Sequence, residues 1–130
     1  MCAVIPATAK KSVAGRRAAE ALGRVAEDEV AARWQAKGFS VLAQRLRTGA
    51  GEIDLVLADA DTLIFVEVKA RKSLAEAAYA VSPRQQARLL EAASLALALH
   101  ENWSRSAIRF DVALVCHGKI EHIEDAIRYN

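Results

Sequence analysis

Cysteine is scarce: among 130 residues only Cys2 and Cys116 carry a thiol. Two cannot build a disulfide framework, and their positions give no metal-ligand spacing. They read as reduced thiols in a cytosolic protein. Long apolar runs are also missing, since none approaches the roughly 18 residues of a membrane-spanning helix. The net charge is only +2, too small to announce a polyanion partner. His100, His117 and His122 form no ligand spacing and read as surface or edge residues. No targeting signal stands out at the start. The apolar part is short, Pro6 breaks it, and the basic residues follow it instead of preceding it.

What remains is ordinary globular usage, 53% hydrophobic and 26% charged, which excludes a low-complexity or disordered chain. This length makes one domain, large enough to bury a core without staples. We expect a flexible basic tail over 1–17 and a single domain over 18–130. The charge is unevenly spread. Residues 1–49 hold nine Lys and Arg against four acids, and residues 50–130 hold nine against twelve. One end therefore favours a polyanion, while the other carries acids for a different task.

The spacing predicts a helix over 18–37, with Leu22, Ala26, Val30 and Trp34 in one stripe and Gly38 as its stop. Phe39–Ala43 reads as a short strand and Arg45–Gly51 as a basic loop. Two strands follow over 52–58 and 63–69, joined by a turn at Asp59–Thr62. The segment 70–83 is ambiguous. Residues 84–101 are helical, with Leu89, Ala92, Ala93, Ala96 and Leu99 on the apolar face. Ile108–Val115 and Lys119–Ile123 are strands around a His117-Gly118 turn. Trp34 reads as core, and Trp103 sits at a helix end. The order helix, three strands, helix, two strands is an α/β arrangement with helices packed on a sheet.

The informative stretch is Gly51–Lys69. Glu52 and Asp54 share a strand face, as do Glu67 and Lys69. With the turn centred between Ala60 and Asp61, Asp54 faces Glu67 and Glu52 faces Lys69. Ile53, Leu55, Leu57, Ile64, Val66 and Val68 then form a dry face. A one-residue slip would bury charges among these apolar groups, so the hydrophobic pattern selects the first register. A four-residue loop suits it better than a two-residue one. Carboxylates and one ammonium thus converge at the rim of a covered sheet, where unpaired charge is expensive. Two readings are open. Lys69 neutralises Glu52 and Glu67 in a structural network, or Asp54, Glu67 and the Val68 carbonyl supply hard oxygen ligands for Mg²⁺, with Lys69 beside the attacking water.

A carboxylate, a dozen residues, then Glu-x-Lys resembles the PD-(D/E)XK nuclease superfamily, here as Asp54 and Glu67-Val68-Lys69. Gly23, Ala26-Glu27-Asp28, Lys37-Gly38-Phe39, Gly51–Leu55, Phe65–Lys69, Arg109–Val112 and Ile120–Ala126 are together similar to the YraN-like bacterial family within it. The resemblance implies a restriction-endonuclease-like mixed β-sheet flanked by helices and a site dependent on Mg²⁺ or Mn²⁺. It implies that Glu27 joins the strand carboxylates, completing a second metal site or binding through water. It further implies an auxiliary role for Gln85 or Gln86, with Glu52 nearby. The chain departs from the family where Arg45 replaces a common asparagine, Gln85 a common lysine and Ala26 a frequent glycine.

The expected activity is hydrolysis of phosphodiester bonds in DNA, including branched or damaged DNA. Asp54, Glu67, Lys69 and Glu27 are the candidate catalytic residues. Arg45, Arg47, Arg71 and Lys72 are candidates for holding phosphates, with Lys10, Lys11, Arg16 and Arg17 adding affinity. No recognition helix or zinc module is evident, so binding is expected to be structure-directed or non-specific. The alternatives are a non-catalytic nucleic-acid-binding module on the same fold, and an interaction protein whose charges are structural.

Overall fold

The computed structural model describes residues 13–73 and 81–128. Helix α1 spans Val13–Ala36, and strands β1 (Ser40–Thr48), β2 (Gly51–Ala58) and β3 (Thr62–Ala70) follow it. Helix α2 (Pro83–Leu99) leads through a short 3₁₀ turn, Glu101–Trp103, to β4 (Ala107–Cys116) and β5 (Lys119–Ile123). The five strands lie in chain order in one sheet. All neighbours are antiparallel except β3 and β4, which are parallel. A parallel pair needs a long crossover, and α2 lies within it. The expected mixed α/β sheet with flanking helices is present.

Both faces of the sheet are covered. Val30, Ala31 and Trp34 of α1 pack with Leu55, Leu57, Ile64, Val66, Val68, Ala113 and Val115. Leu89, Ala92, Ala93 and Ala96 of α2 pack with Val56, Leu63, Phe65, Phe110, Val112 and Leu114. Phe65 and Phe110 stack at 5.4 Å between ring centres. Burial on two sides explains why β2, β3 and β4 are nearly continuous apolar runs.

Several boundaries differ from the sequence reading. α1 begins by Val13, so residues 13–17 of the expected tail are helical, and Lys10 and Lys11 lie outside the described residues. Only the second half of α1 is buried. Its inward stripe is Glu27, Val30, Ala31 and Trp34, at the i, i+3, i+4, i+7 spacing of one helix face, with Ala26 beside it. Leu22 is exposed, at the mouth of a cavity that it lines with Val25, Ala70 and Val115. Leu99 is exposed at the last turn of α2.

The strand expected over Phe39–Ala43 runs on to Thr48, and the expected loop shrinks to Gly49-Ala50. β1 is an edge strand, where charged side chains are tolerated. Thr48 closes its turn by donating to the Gly51 carbonyl and accepting from the Ala50 amide. Of the ambiguous segment, Ala70 ends β3 and Pro83 opens α2, while residues 74–80 lie outside the described residues.

A buried carboxylate braces the far side of the sheet. Asp111 on β4 is fully buried. It accepts two bonds from Arg109, at 2.9 and 3.0 Å, one from His122 Nε2 at 2.7 Å and one from the Asp125 amide at 2.9 Å. Trp34 Nε1 donates to His122 Nδ1 at 3.3 Å. An indole N–H can only donate, so the ring proton sits on Nε2 and goes to Asp111. His122, expected at an ordinary edge position, instead links α1, β4 and β5. Burial would push the Asp111 carboxyl up, but the bonds from His122 and Arg109 outweigh it and hold it below its ordinary value.

Removing one partner of such a buried pair strands the others, so Asp111→Ala should cost about 3 kcal/mol at pH 7. A folded-state pKa below the unfolded value of about 3.9 gives stability that is present above that value and lost as pH falls through the folded pKa. Urea unfolding from pH 7 down to pH 2.5 should therefore show the difference between wild type and Asp111→Ala narrowing only in acid.

Candidate functional site

The β2–β3 ladder is set by its turn. Asp59 Oδ1 accepts from the Asp61 and Thr62 amides, and the Asp59 amide donates to the Thr62 carbonyl. Four loop residues, 59–62, thus separate the pair Ala58↔Leu63. Pairing runs from there to Leu55↔Val66, which is the register the hydrophobic pattern demanded. Past that point the two strands part. β2 stays with β1 as far as Thr48↔Gly51, and β3 stays with β4 as far as Ala70↔Val115.

The parting is where the charges sit. The Val68 amide, with no strand carbonyl to meet, donates to Asp54 Oδ2 at 2.8 Å. A side-chain oxygen here replaces a ladder acceptor, which a buried N–H requires. The Asp54 and Glu67 carboxyls stand close enough that the Asp54 charge acts on Glu67. Lys69 Nζ lies 3.3 Å from Glu67 Oε1. Alternation along β2 breaks in the same place. Leu55 and Leu57 belong to the α1 cluster, but Ile53 belongs to the α2 cluster. The six-residue dry face expected from simple alternation therefore loses Ile53, because β2 leaves the regular pleat at Asp54.

α1 delivers a third acid from above. Glu27 is buried, and its Oε1 accepts from Arg45 Nη1 at 2.9 Å. Arg45 lies on β1 between the pairs Gln44↔Leu55 and Leu46↔Ile53, level with Asp54. Its φ is +50°, a left-handed conformation that residues with side chains seldom adopt. Burial, then the nearby Asp54 charge, pushes the Glu27 carboxyl up to about 7 despite Arg45. Burial is also the leading cause that raises Asp54 and Glu67, and the Asp54 charge adds to it at Glu67.

The sequence candidates thus divide. Asp54, Glu67 and Lys69 meet, and Glu27 stands within reach of the Asp54 field. Val68 joins through its amide. Glu52 and Arg47 are exposed on the same hairpin, and Arg71 and Lys72 are exposed just beyond β3. The Arg71 guanidinium donates to the Ala70 carbonyl. Gln85 and Gln86 serve the head of α2. Ser82 and Gln85 form a capping box, and Gln86 Nε2 donates to the Val81 carbonyl. Among the described residues, no three His, Cys, Asp or Glu side chains are grouped to hold a metal ion. Sequence reasoning missed Asp111, although a lone acid inside the apolar run Phe110–Val115 signals a buried partner.

A model of the uncharacterised protein family UPF0102 matches residues 26–115. The chain belongs to that family. A UPF0102 protein of Acidiphilium cryptum is 52% identical over 119 residues, 92% of this chain and 93% of that protein. One from Azorhizobium caulinodans is 49% identical over 112 residues, 85% and 86% of the two chains. One from Granulibacter bethesdensis is 46% identical over 121 residues, 92% and 75%. The matched span of the UPF0102 model holds Glu27, Arg45, Asp54, Glu67 and Lys69 together.

Carboxyls with raised folded pKa values bind protons that the unfolded chain does not, between about pH 4.3 and 7. Their contribution is favourable below the unfolded value and is lost as pH rises through the folded one. In EDTA the protein should therefore melt higher at pH 5 than at pH 8. Glu67→Gln should be more stable than wild type at pH 8 by about 1 kcal/mol, with that advantage gone near pH 4.

Proposed function

We propose that this UPF0102 protein is a metal-dependent nuclease of the PD-(D/E)XK type, hydrolysing phosphodiester bonds in DNA without sequence preference. The observation that carries the reading is Asp54, held by the Val68 amide where two strands part, acting on Glu67 beside Lys69. Two half-buried carboxyls that act on one another form an acceptor set for a hard cation, which takes one or two carboxylates and otherwise keeps water. Asp54 and Glu67 would hold Mg²⁺ or Mn²⁺. When bound, such an ion supplies Lewis-acid polarisation of a phosphoryl oxygen and lowers the pKa of water.

The chain's own groups do the rest. Lys69, tethered to Glu67, orients the attacking water or stabilises charge gathering on the phosphate. Arg45 is partly exposed, with 37% of its side-chain surface open, so it meets the outside while Glu27 holds it. Arg47, at the β1 end beside Glu52, and Arg71 and Lys72, just beyond β3, are exposed and suit contacts to backbone phosphates, which carry no sequence information. No helix among the described residues is long and apolar enough to cross a membrane.

With Mg²⁺ or Mn²⁺, the purified protein should cut duplex, branched or single-stranded DNA. Asp54→Ala and Glu67→Ala should each lower the rate at least about 100-fold while keeping the wild-type circular dichroism spectrum. Lys69→Ala should lower the rate more than it lowers metal affinity. Absence of cleavage on all three DNA forms would sink the enzyme reading. DNA binding that persists without metal and survives Asp54→Asn would then favour a non-catalytic binding module.

A further inference from the structure

The charges around the site do not cancel. Glu27, Glu52, Asp54 and Glu67 act on one another there, against Arg45, Lys69 and Arg47, which stands across the β1–β2 ladder from Glu52. Lys69 pairs with Glu67 and Arg45 pairs with Glu27. Arg47 stands opposite the solvent-facing Glu52, and Asp54 remains. A single divalent cation more than offsets that remainder, and a second would need a further acid. Glu27 is the further acid that Asp54 acts on, but its Oε1 is already committed to a guanidinium at 2.9 Å.

Arg45 is built into this position. It sits on an otherwise extended strand with φ +50°, level with Asp54 in the β1–β2 register. Its partner Glu27 occupies the buried stripe of α1, where an apolar residue would normally pack. A left-handed backbone and a buried acid are each unfavourable alone, and the ion pair is what joins them. The lack of any three-acid group among the described residues agrees with this arrangement.

We propose that Arg45 is a resident cation standing in for a second metal ion. The site takes one divalent cation, through Asp54 and Glu67, and Glu27 serves Arg45 instead of the metal. Two-metal phosphodiester sites use the second ion to stabilise the leaving oxygen, and a fixed guanidinium can meet that developing charge. The inference rests on the metal-site reading above and settles its stoichiometry.

The test is Mn²⁺ binding followed by electron paramagnetic resonance at neutral pH, with no DNA present. Wild type should bind one Mn²⁺ per chain. Arg45→Asn, chosen because asparagine tolerates left-handed backbone, should bind two. The charge-balanced double variant Glu27→Gln/Arg45→Asn should return to one, with a Kd within about threefold of wild type. Two Mn²⁺ on wild type would overturn the inference and leave the metal reading standing. So would Arg45→Asn stopping at one with unchanged Kd, or the double variant losing more than about tenfold in affinity, since that loss makes Glu27 a ligand. No Mn²⁺ on wild type would overturn the metal reading itself, and this inference with it. Thermal melts of each variant show whether it is folded, and the double variant tests the role of Glu27 even if Arg45→Asn is unstable.

Discussion

One hydrogen bond organises the centre of this protein: the Val68 amide donating to the Asp54 carboxylate. A buried backbone N–H must find an acceptor. Here the neighbouring strand has already turned away, so a side chain provides it. The bond fixes Asp54 at the point where the two strands part, next to Glu67. The break in alternation that puts Ile53 on the α2 side lies at the same place. The gap, the paired acids and the local distortion of β2 meet at one residue.

Keeping several acids together in a half-buried gap is unfavourable, and the raised carboxyls report that tension. The fold offsets it elsewhere. Two apolar layers sandwich the sheet, and the Asp111–His122–Trp34 chain ties α1, β4 and β5 together, each donor meeting an acceptor. The contrast between the two acidic centres is instructive. Asp111 accepts four bonds, about one for each lone-pair site of a carboxylate, and is held ionised. Asp54 and Glu67 have fewer, and burial raises both.

Much of this was legible beforehand. The register of β2 and β3 followed from asking which faces could be dry, since a slip of one residue exchanges the two faces. That question placed Asp54 with Glu67 without any structural input, and the resemblance to a nuclease family named the same residues. The helix stop at Gly38 and the His117-Gly118 turn were equally plain, and both show the positive φ that such turns require. The length of β1 was not legible, because Arg45, Arg47 and Gly49 read as a loop when nothing says that the strand lies at an edge. The role of Glu27 was visible only in part. Its place on the inward stripe of α1 depends on how far the sheet extends beneath the helix.

Local pattern alone therefore determined the elements, the hairpin register and the pairing of acids across it, because side-chain periodicity and turn chemistry act over a few residues. The tertiary structure decided what stands around that pair. Whether Glu27 meets a metal or a guanidinium, whether Gln85 faces the site or caps its helix, and whether Asp111 is a liability or a brace all depend on groups far apart in the chain. Such groups are brought together only when both helices close on the sheet, and no periodicity encodes that distance.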